Sequence, residues 1–480
     1  MSAPGPNILL FLTDQERYDV SSPGDPAVTT KSMDRLQEEG MRFDRAYTPI
    51  SICSSARASL LTGLYPHNHR MLNNCHGPEA ITSNLSRQHA TFSKLLNQNG
   101  YANSHVGKWH VGQDQTPTDF GFNHLGGGNN HQEPDDRDFD KYQRHHGVDP
   151  GEIELKETVY ATHPHDQELI AAKTPIQKEA THPYYIAEKT IEQLAEYART
   201  GNNPFFHQMD FSGPHHPYVV PEPYASMYDP DEIDPWPSYN DTFDSKPQAH
   251  QNLLSYRGVD ELSWESWAQA IAKYFGFVSF IDDQIGRILD ALDTFGLTDN
   301  TVVIHTADHG DFTGSHRQFN KGPIMYDETY HIPLLVRWPD IVDPGSTCEE
   351  MVRLLDLMPT FLEIGGLTPP TNIDGRSIRP LLEQRAPTDW PQSLFAEYHG
   401  DEFGFYSQRM IRTKTHKYIY NSPDINELYD LRTDPYELHN LIDQPEQEDV
   451  RTELKQSLIR WMEKTDDPLA HWAKKALGSD

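Results

Sequence analysis

The stretch NILLFLT, residues 7–13, decides the class of fold because it is apolar at nearly every position. A strand that faces water on one side alternates apolar and polar residues, whereas a parallel strand covered by helices on both faces is continuously apolar. A similar run, TVVIHTA, occupies residues 301–307. Segments with helical periodicity lie between these runs, at residues 185–199 and 267–295. This alternation of strands and helices predicts an α/β fold built in layers.

The composition of the chain changes near residue 370. A linker with two prolines, residues 368–370, is followed by shorter strand patterns at residues 410–420 and 427–431. A chain of 480 residues is long enough to bury one large core and a second, smaller one. We therefore predict a catalytic domain over residues 1–370 and a C-terminal subdomain over residues 371–480.

Residues 126–183 differ from the rest of the predicted catalytic domain. They are rich in Asp, Glu, His, Gly and Pro and show little periodicity. Long segments of this kind inside a compact domain run over its surface and often shape binding sites. We expect an irregular insertion that covers one edge of the domain.

The overall composition excludes several classes of partner. The formal net charge is −32, which argues against binding to nucleic acid or to an anionic membrane surface, since both need surface cations. No apolar window approaches the length that spans a bilayer. The first apolar run lacks a basic flank, and three cysteines cannot build a disulfide framework. These features predict a cytoplasmic protein without a membrane partner.

The stretch CSSARASLLTG, residues 53–63, places Cys53 four positions before Arg57. A cysteine at the start of a helix and near a guanidinium lies where negative charge is favoured. This arrangement suggests an activated nucleophile. A lone cysteine is also a common small residue of a buried core, so this motif alone leaves both interpretations open.

Two apolar strands end in residues that can bind a metal ion. Asp14 and Gln15 follow the first strand, and Asp308 and His309 follow the strand at residues 301–307. Ligands collect at the carboxyl ends of parallel strands. Oxygen ligands with one imidazole suit a hard divalent cation.

Together, these motifs resemble those of the type I sulfatases, which belong to the alkaline phosphatase superfamily and oxidise their motif cysteine to formylglycine. The family pattern is Cys-x-Pro/Ala-x-Arg followed by Leu-Thr-Gly, and Ser55 stands here where Pro or Ala is usual. Gln15 and His309 resemble the metal motif of the branch that contains choline sulfatases and phosphonate monoester hydrolases. The resemblance implies an α/β/α sandwich with a large, mostly parallel sheet and a smaller C-terminal α+β subdomain with an antiparallel sheet.

The resemblance also implies the site residues, through further motifs such as GKWH at residues 107–110, PHHP at residues 214–217 and NKGP at residues 320–323. The implied metal ligands are Asp14, Gln15, Cys53, Asp308 and His309. The implied catalytic residues are Cys53, Arg57, Lys108, His110, His215 and Lys321. Two further residues, Asn74 and His316, are candidates for substrate contact, with Asn73 as an alternative to Asn74.

The function implied by the resemblance is hydrolysis of sulfate esters by a metal-dependent sulfuric ester hydrolase. The metal would be Ca²⁺, with Mg²⁺ or Mn²⁺ as alternatives, and a formylglycine-generating maturation enzyme would convert Cys53. The substrate would be a small-molecule or carbohydrate sulfate ester, and a homo-oligomer stays open. The alternatives are hydrolysis of phosphonate monoesters or phosphodiesters at the same site, and a metal-binding protein of this fold without catalysis.

Overall fold

A computed structural model gives the structure of the chain for residues 5–21, 28–127, 137–149, 153–162, 167–201, 203–401 and 404–478. The strands in chain order are β1 (Asn7–Asp14), β2 (Met41–Phe43), β3 (Ala46–Tyr47), β4 (Ala102–Gly107), β5 (Asn123–His124), β6 (Lys156–Thr162), β7 (Gln167–Lys173), β8 (Phe205–Pro214), β9 (Tyr218–Val220), β10 (Thr301–Ala307), β11 (His331–Ile332), β12 (Leu334–Arg337), β13 (Ser346–Cys348), β14 (Val352–Arg353), β15 (Ser393–Asp401), β16 (Gly404–Thr413), β17 (His416–Asn421) and β18 (Glu427–Asp430).

The helices connect these strands and cover the sheets. In chain order they are α1 (Tyr18–Ser21), α2 (Lys31–Glu38), α3 (Cys53–Thr62), α4 (Pro66–His69), α5 (Phe92–Gln98), α6 (Arg137–His145), α7 (His182–Thr200), α8 (Gln248–Arg257), α9 (Trp264–Thr294), α10 (Asp327–Tyr330), α11 (Leu357–Ile364), α12 (Arg379–Leu382), α13 (Glu448–Lys464) and α14 (Ala470–Leu477). Among the described residues, no helix has both the length and the apolar character needed to cross a membrane.

The main sheet of the described chain has the strand order β13-β2-β12-β10-β1-β8-β4-β5. Its central strands β10, β1, β8 and β4 run parallel to one another. Strand β12 is antiparallel to both of its neighbours, β10 and β2. The predicted α/β fold with a large, mostly parallel sheet is therefore confirmed, with a mixed part on one side.

Strand β1 shows why its sequence is continuously apolar. Leu9 and Phe11 pack on one face of the sheet in a cluster with residues of α2, α7 and α9. Ile8, Leu10 and Leu12 pack on the other face, in a cluster with residues of α3, α5 and α11. Because helices cover both faces, no position of the strand faces water, as expected for the centre of a layered α/β fold.

The last part of the chain forms a four-stranded antiparallel sheet, β15-β16-β17-β18, and α13 packs against β16 and β17. The prediction of one strand over residues 410–420 is wrong, because the chain turns between β16 and β17. Oγ1 of Thr413 accepts hydrogen bonds from the backbone N–H groups of Thr415 and His416 and closes this turn. Short polar side chains commonly stabilise turns in this way.

The segment of residues 126–183 is more regular than expected where the structure describes it. Residues 128–136, 150–152 and 163–166 of this segment lie outside the described residues. The rest contains α6 and the hairpin β6–β7, which joins β9 in a separate sheet. Within β6 only Val159 and Ala161 are buried. This short alternation of buried and exposed residues is typical of a strand. The largely polar composition of the segment hid the pattern in the sequence.

Candidate active site

The candidate site lies where four adjacent parallel strands end. Asp308 follows β10 and Asp14 ends β1, while His215 follows β8 and Lys108 follows β4. These strands are consecutive in the sheet order. In β1 and β10, Thr13 pairs with Ala307, so the next residues along both strands emerge side by side. The register of the sheet thus brings residues that are far apart in sequence to one edge, as the rule for parallel sheets predicts.

Four of the predicted metal ligands converge at this edge. One ligand atom from each of Asp14, Cys53, Asp308 and His309 lies within 4.8 Å of the others, and all four residues are buried. The fifth, Gln15, is tied to the group because its backbone N–H donates to Oδ1 of Asp308 at 3.1 Å. Gln15 has a left-handed backbone with φ of 67°. A non-glycine residue rarely adopts this conformation unless the surrounding structure enforces it.

Cys53 occupies the first position of α3 and is 1% exposed. Its Sγ lies 3.1 Å from Nε2 of His309 and 3.6 Å from Oδ1 of Asp14. Burial, followed by the negative charge of Asp14, raises the pKa of this thiol to about 12, although Lys108 and Lys321 oppose the shift. Burial therefore opposes the thiolate form that the helix start and Arg57 favour.

Arg57 holds two acidic residues in place rather than activating the thiol. Its Nε donates to Oδ2 of Asp308 at 2.8 Å, and its Nη1 donates to Oδ2 of Asp210 at 2.9 Å. The same Nη1 also donates to the carbonyl of Lys108 at 2.8 Å. One planar guanidinium thus joins α3 to the residues that follow β10 and β4 and to Asp210 within β8, which a lysine could not do. Sequence reasoning missed Asp210, although its place near the end of an apolar strand was a usable signal.

Two lysines face the candidate metal ligands. Nζ of Lys108 forms a short ion pair with Oδ2 of Asp14. Nζ of Lys321 donates to Oε1 of Gln15 at 2.8 Å and lies 3.4 Å from Nε2 of His215. Both lysines are buried. The structure thus brings Lys108, Lys321 and His215 to the same site as Asp14 and Gln15.

Asn74 lies beside α3, and His110 contacts Cys75 and His76, the two residues that follow Asn74. Nε2 of His110 lies 2.6 Å from Nδ1 of His76. Oδ1 of Asn74 accepts from the backbone N–H of Ser54 at 3.4 Å, which places Asn74 next to Cys53. Asn73 instead bonds to its own loop, through the carbonyl of Glu79 and the N–H of Ile81. Of the two asparagines, Asn74 is therefore the one adjacent to the site.

His316 has its contacts in a different cluster. Its Nδ1 lies 2.7 Å from Asp241, and its Nε2 lies 3.4 Å from Glu328. Its ring also stacks on Tyr326 at a centroid distance of 4.2 Å. These contacts hold a completely buried side chain between two carboxylates. They give His316 a structural place in the fold.

Asp311 is a second residue that sequence reasoning missed. Its carboxylate accepts a hydrogen bond from the side-chain amide of Gln15 and another from the hydroxyl of Tyr218, at 2.8 Å. With Nε2 of Gln15 fixed on Asp311, the carbonyl oxygen Oε1 points toward Lys321 and the site. The position three residues after Asp308 was the only signal for it in the sequence.

The donor set fits a hard divalent cation. Asp14 and Asp308 supply carboxylate oxygens, Gln15 supplies an amide oxygen, and His309 supplies Nε2. Burial lowers the pKa of His309 to about 4, against the opposing effect of Asp308. The imidazole is therefore neutral near pH 7, and a neutral imidazole is the form that binds metals. Oxygen-rich sites of this kind select Ca²⁺, Mg²⁺ or Mn²⁺ over softer ions.

Known proteins resemble this chain over almost its whole length. An arylsulfatase of Clostridium perfringens is 29% identical, over 95% of this chain and 94% of its own. An N-acetylglucosamine-6-O-sulfatase of Bacteroides thetaiotaomicron is also 29% identical, over 94% of this chain and 85% of its own. A phosphonate monoester hydrolase of Silicibacter pomeroyi shares the fold, with a TM-score of 0.81, 23% identity and coverage of 97% and 96%.

Family models match two overlapping parts of the chain. The model described as Sulfatase matches residues 6–367. The model described as N-sulphoglucosamine sulphohydrolase, C-terminal, matches residues 314–464. The first match covers well over half of the 480 residues and includes all the residues of the site described above. The resemblance found in the sequence motifs is confirmed, and this chain belongs to the sulfatase family of the alkaline phosphatase superfamily.

Proposed function

We propose that this chain is a sulfuric ester hydrolase that cleaves sulfate monoesters of small molecules or carbohydrates. The observation that carries the proposal is the position of Cys53 Sγ, 3.1 Å from His309 and 3.6 Å from Asp14, at the converging strand ends. Arg57, Lys108 and Lys321 surround this position with positive charge. Such local charge is needed to attract an anionic ester in a chain whose net charge is −32.

Two groups would complete the site. Asp14, Gln15, Asp308 and His309 would hold a divalent cation, for which we propose Ca²⁺ and which would polarise the sulfuryl oxygens. A formylglycine made from Cys53 by a maturation enzyme would supply the oxygen nucleophile that the thiol, with its raised pKa, does not. The family of the chain and the chemistry of the donor set support both groups.

The remaining residues have roles that follow from their chemistry. We assign Lys108 and Lys321 to the sulfuryl oxygens, because a buried ammonium group stabilises developing negative charge. His215, whose Nε2 is 3.4 Å from Nζ of Lys321, is assigned as the acid that protonates the leaving oxygen. His110 is assigned as the base, and Arg57 as the group that orients Asp308 and Asp210.

Asn74 is the proposed substrate contact among the polar side chains near Cys53. Its amide group donates to Asp401 at 2.8 Å, so the C-terminal part of the chain fixes its orientation. His316 is left out of the proposed substrate contacts because both of its ring nitrogens face carboxylates. A cytoplasmic location and a homo-oligomeric state stay predictions.

The test compares wild type with Cys53→Ala and with the matched control Cys348→Ser, which changes a half-buried thiol elsewhere. Hydrolysis of an aryl sulfate with Ca²⁺ present should fall by several orders of magnitude in Cys53→Ala and stay near wild type in the control. The intact mass of the Cys53 peptide should show the loss of sulfur and gain of oxygen that formylglycine requires. Near-normal turnover by Cys53→Ala would overturn the proposal.

Hydrolysis of phosphonate monoesters or phosphodiesters is the second candidate function. The observation that favours it is His309 among the metal ligands, since this pattern resembles the phosphonate monoester hydrolase branch. Comparing kcat/KM for an aryl sulfate and for phenyl phosphonate at the same site decides between the two. A clear preference for the phosphonate would replace the sulfate ester as the substrate class.

A further inference from the structure

A second group of metal-binding side chains lies next to the candidate active site. One ligand atom from each of Cys75, His76 and His110 lies within 4.8 Å of the others. Cys75 and His110 are buried, whereas His76 is half-buried. This group shares no ligand with the set of Asp14, Cys53, Asp308 and His309. We propose that Cys75, His76 and His110 form a binding site for Zn²⁺ or a similar borderline-soft cation, and that the bound ion inhibits the enzyme through His110.

The chemistry of these ligands differs from that of the first site. One thiol and two imidazoles favour Zn²⁺, which binds three protein ligands and a water molecule in many open sites. Carboxylate and amide oxygens favour the harder cations instead. The two sites therefore discriminate between metals by ligand type, and excess Ca²⁺ does not compete for the thiol and the imidazoles.

The local geometry already holds the two histidines together. Nε2 of His110 lies 2.6 Å from Nδ1 of His76, and the ring centroids are 4.7 Å apart. Tetrahedral Zn²⁺ with Zn–N bonds of about 2.0–2.1 Å needs two nitrogens roughly 3.3 Å apart, so the rings need to separate by less than an ångström. His110 has a φ of 56°. A non-glycine residue rarely adopts this left-handed backbone unless the surrounding structure enforces it.

Cys75 is held on the third side by Ser54. Oγ of Ser54 donates to Sγ of Cys75 at 3.4 Å, and the N–H of Cys75 donates back to the same Oγ at 3.3 Å. The thiol itself donates to the backbone carbonyl of His110 at 3.6 Å. The sulfur therefore lies beside His110, whose ring would bind the same ion. It also lies beside Ser54, the residue that follows Cys53.

Binding would release one proton. Burial raises the pKa of Cys75, and the hydrogen bond from Ser54 opposes this shift. The thiol therefore enters as S–H, and its proton leaves to solvent as the S–Zn bond forms. The two neutral imidazoles each bind through an unprotonated nitrogen and keep their single N–H on the other ring nitrogen. Half-exposed His76 gives the ion its path from solvent.

The inhibitory effect rests on the proposed function, whereas the binding itself does not. His110 is assigned as a base in the reaction. With its nitrogen bound to Zn²⁺, the ring can neither accept a proton nor turn toward the substrate. Zn²⁺ should therefore inhibit while the first site is saturated with Ca²⁺.

The binding test uses Co²⁺ alone as the probe, with Ca²⁺ in excess and with Cys53→Ala as the background, so that no thiol remains at the first site. A thiolate-to-cobalt charge-transfer band should appear at one equivalent, disappear in Cys53→Ala/Cys75→Ser and persist in Cys53→Ala/Cys348→Ser. The half-exposed His76→Ala provides a second variant, which should weaken binding because it removes one of the three ligands. Absence of the band in the background protein, or its survival without Cys75, would overturn the site.

The activity test is a separate measurement on converted enzyme. Zn²⁺ should lower aryl sulfate turnover by wild type and by Cys348→Ser, whereas Cys75→Ser should need at least about tenfold more Zn²⁺ for the same inhibition. Equal sensitivity of all three proteins would refute the inhibitory role. A failure of the proposed function would appear separately, as a lack of sulfatase activity in wild type that has been treated with chelator and loaded with Ca²⁺. In that case the cobalt measurement alone tests the metal site.

Discussion

Nζ of Lys321 donates a hydrogen bond to Oε1 of Gln15 at 2.8 Å, across 306 positions of sequence. The acceptor is the atom of Gln15 that is left after its amide nitrogen bonds to Asp311. The lysine thus lies directly against a candidate metal ligand and beside His215. Its positive charge is held in a fixed position by these contacts. A fixed positive charge stabilises the negative charge that develops in a transition state.

Replacing Lys321 should therefore damage catalysis more than folding. We expect Lys321→Ala to lower kcat/KM for an aryl sulfate by roughly 10²-fold to 10³-fold, because one preorganised charge is lost. Steady-state kinetics measure the effect, and Lys141→Ala is the control, since Lys141 is exposed and paired only with the exposed Asp138 among its described ion pairs. Wild-type kinetics in Lys321→Ala would remove this lysine from the proposed mechanism.

Arg57 should be irreplaceable by lysine. Arg57→Lys keeps the charge but cannot reach Asp308, Asp210 and the carbonyl of Lys108 together, as the guanidinium does. Affinity for Ca²⁺, measured by calorimetry, should fall by roughly 10-fold to 100-fold because Asp308 loses its orienting partner. Arg144→Lys, on the exposed face of α6, should bind Ca²⁺ like wild type. Equal affinity in both variants would contradict the positioning role.

Gly107 precedes Lys108 and has no room for a side chain. Its φ is +98°, and a Cβ atom there would lie 2.0 Å from the carbonyl oxygen of Asp210. Gly100 offers a matched control, since its φ is +91° but no heavy atom lies within 4 Å of a Cβ. We expect urea unfolding to show a loss of about 1 kcal/mol for Gly100→Ala and about 3 kcal/mol or more for Gly107→Ala. Equal losses of stability in the two variants would mean that the end of β4 can move to make room for the added side chain.

His67 should make stability depend on pH. Its Nδ1 donates to Glu397 and its Nε2 donates to the carbonyl of Thr465, both at 2.8 Å, so the ring needs both protons. Burial opposes this charge, but Glu397 and the nearby Asp467 outweigh burial and raise the pKa to about 9. Arg409 faces the same carboxylates as a cation, whereas burial lowers the pKa of His399, which lies beside Glu397.

Because folding raises the pKa of His67, the free energy of unfolding should fall as the pH rises. The charged ring stabilises the folded state fully below the unfolded pKa of about 6.5. This stabilisation, about 3 kcal/mol in total, is lost as the pH rises toward 9. Urea unfolding at pH 6.5 and pH 9 should show this loss in wild type and a flatter profile in His67→Gln. Identical pH profiles for the two proteins would show that His67 carries no charge in the folded state.

The parts of the site that sequence could predict are those that follow from strand ends. Asp14 and Asp308 were recognisable because each terminates a continuously apolar run, and parallel strands share one carboxyl edge. Asp210 follows the same rule but lies within the longer β8, so that its strand end was harder to locate. Asp311 and His76 were not predictable, because their roles depend on which side chains the loops bring together.

The local sequence pattern around Cys53 did not report its burial. The helix start and Arg57 both favour a thiolate, but Arg57 is engaged by Asp308 and Asp210, and the sulfur is buried beside Asp14. The turn between β16 and β17 was missed for a related reason. Thr413 and Thr415 fit a strand by propensity, and only their hydrogen bonds show that the chain reverses there.

The contacts of His67 set a limit on how short the protein can be made. Its hydrogen-bond acceptors come from Glu397 in β15 and from Thr465 just after α13, while α4 itself follows directly on the helix that begins at Cys53. A fragment that ends before β15 would retain an interior imidazole with neither its counter-charge nor its acceptors. A shortened version of the enzyme should therefore keep about the last 90 residues, since they supply the partners of the buried His67 ring.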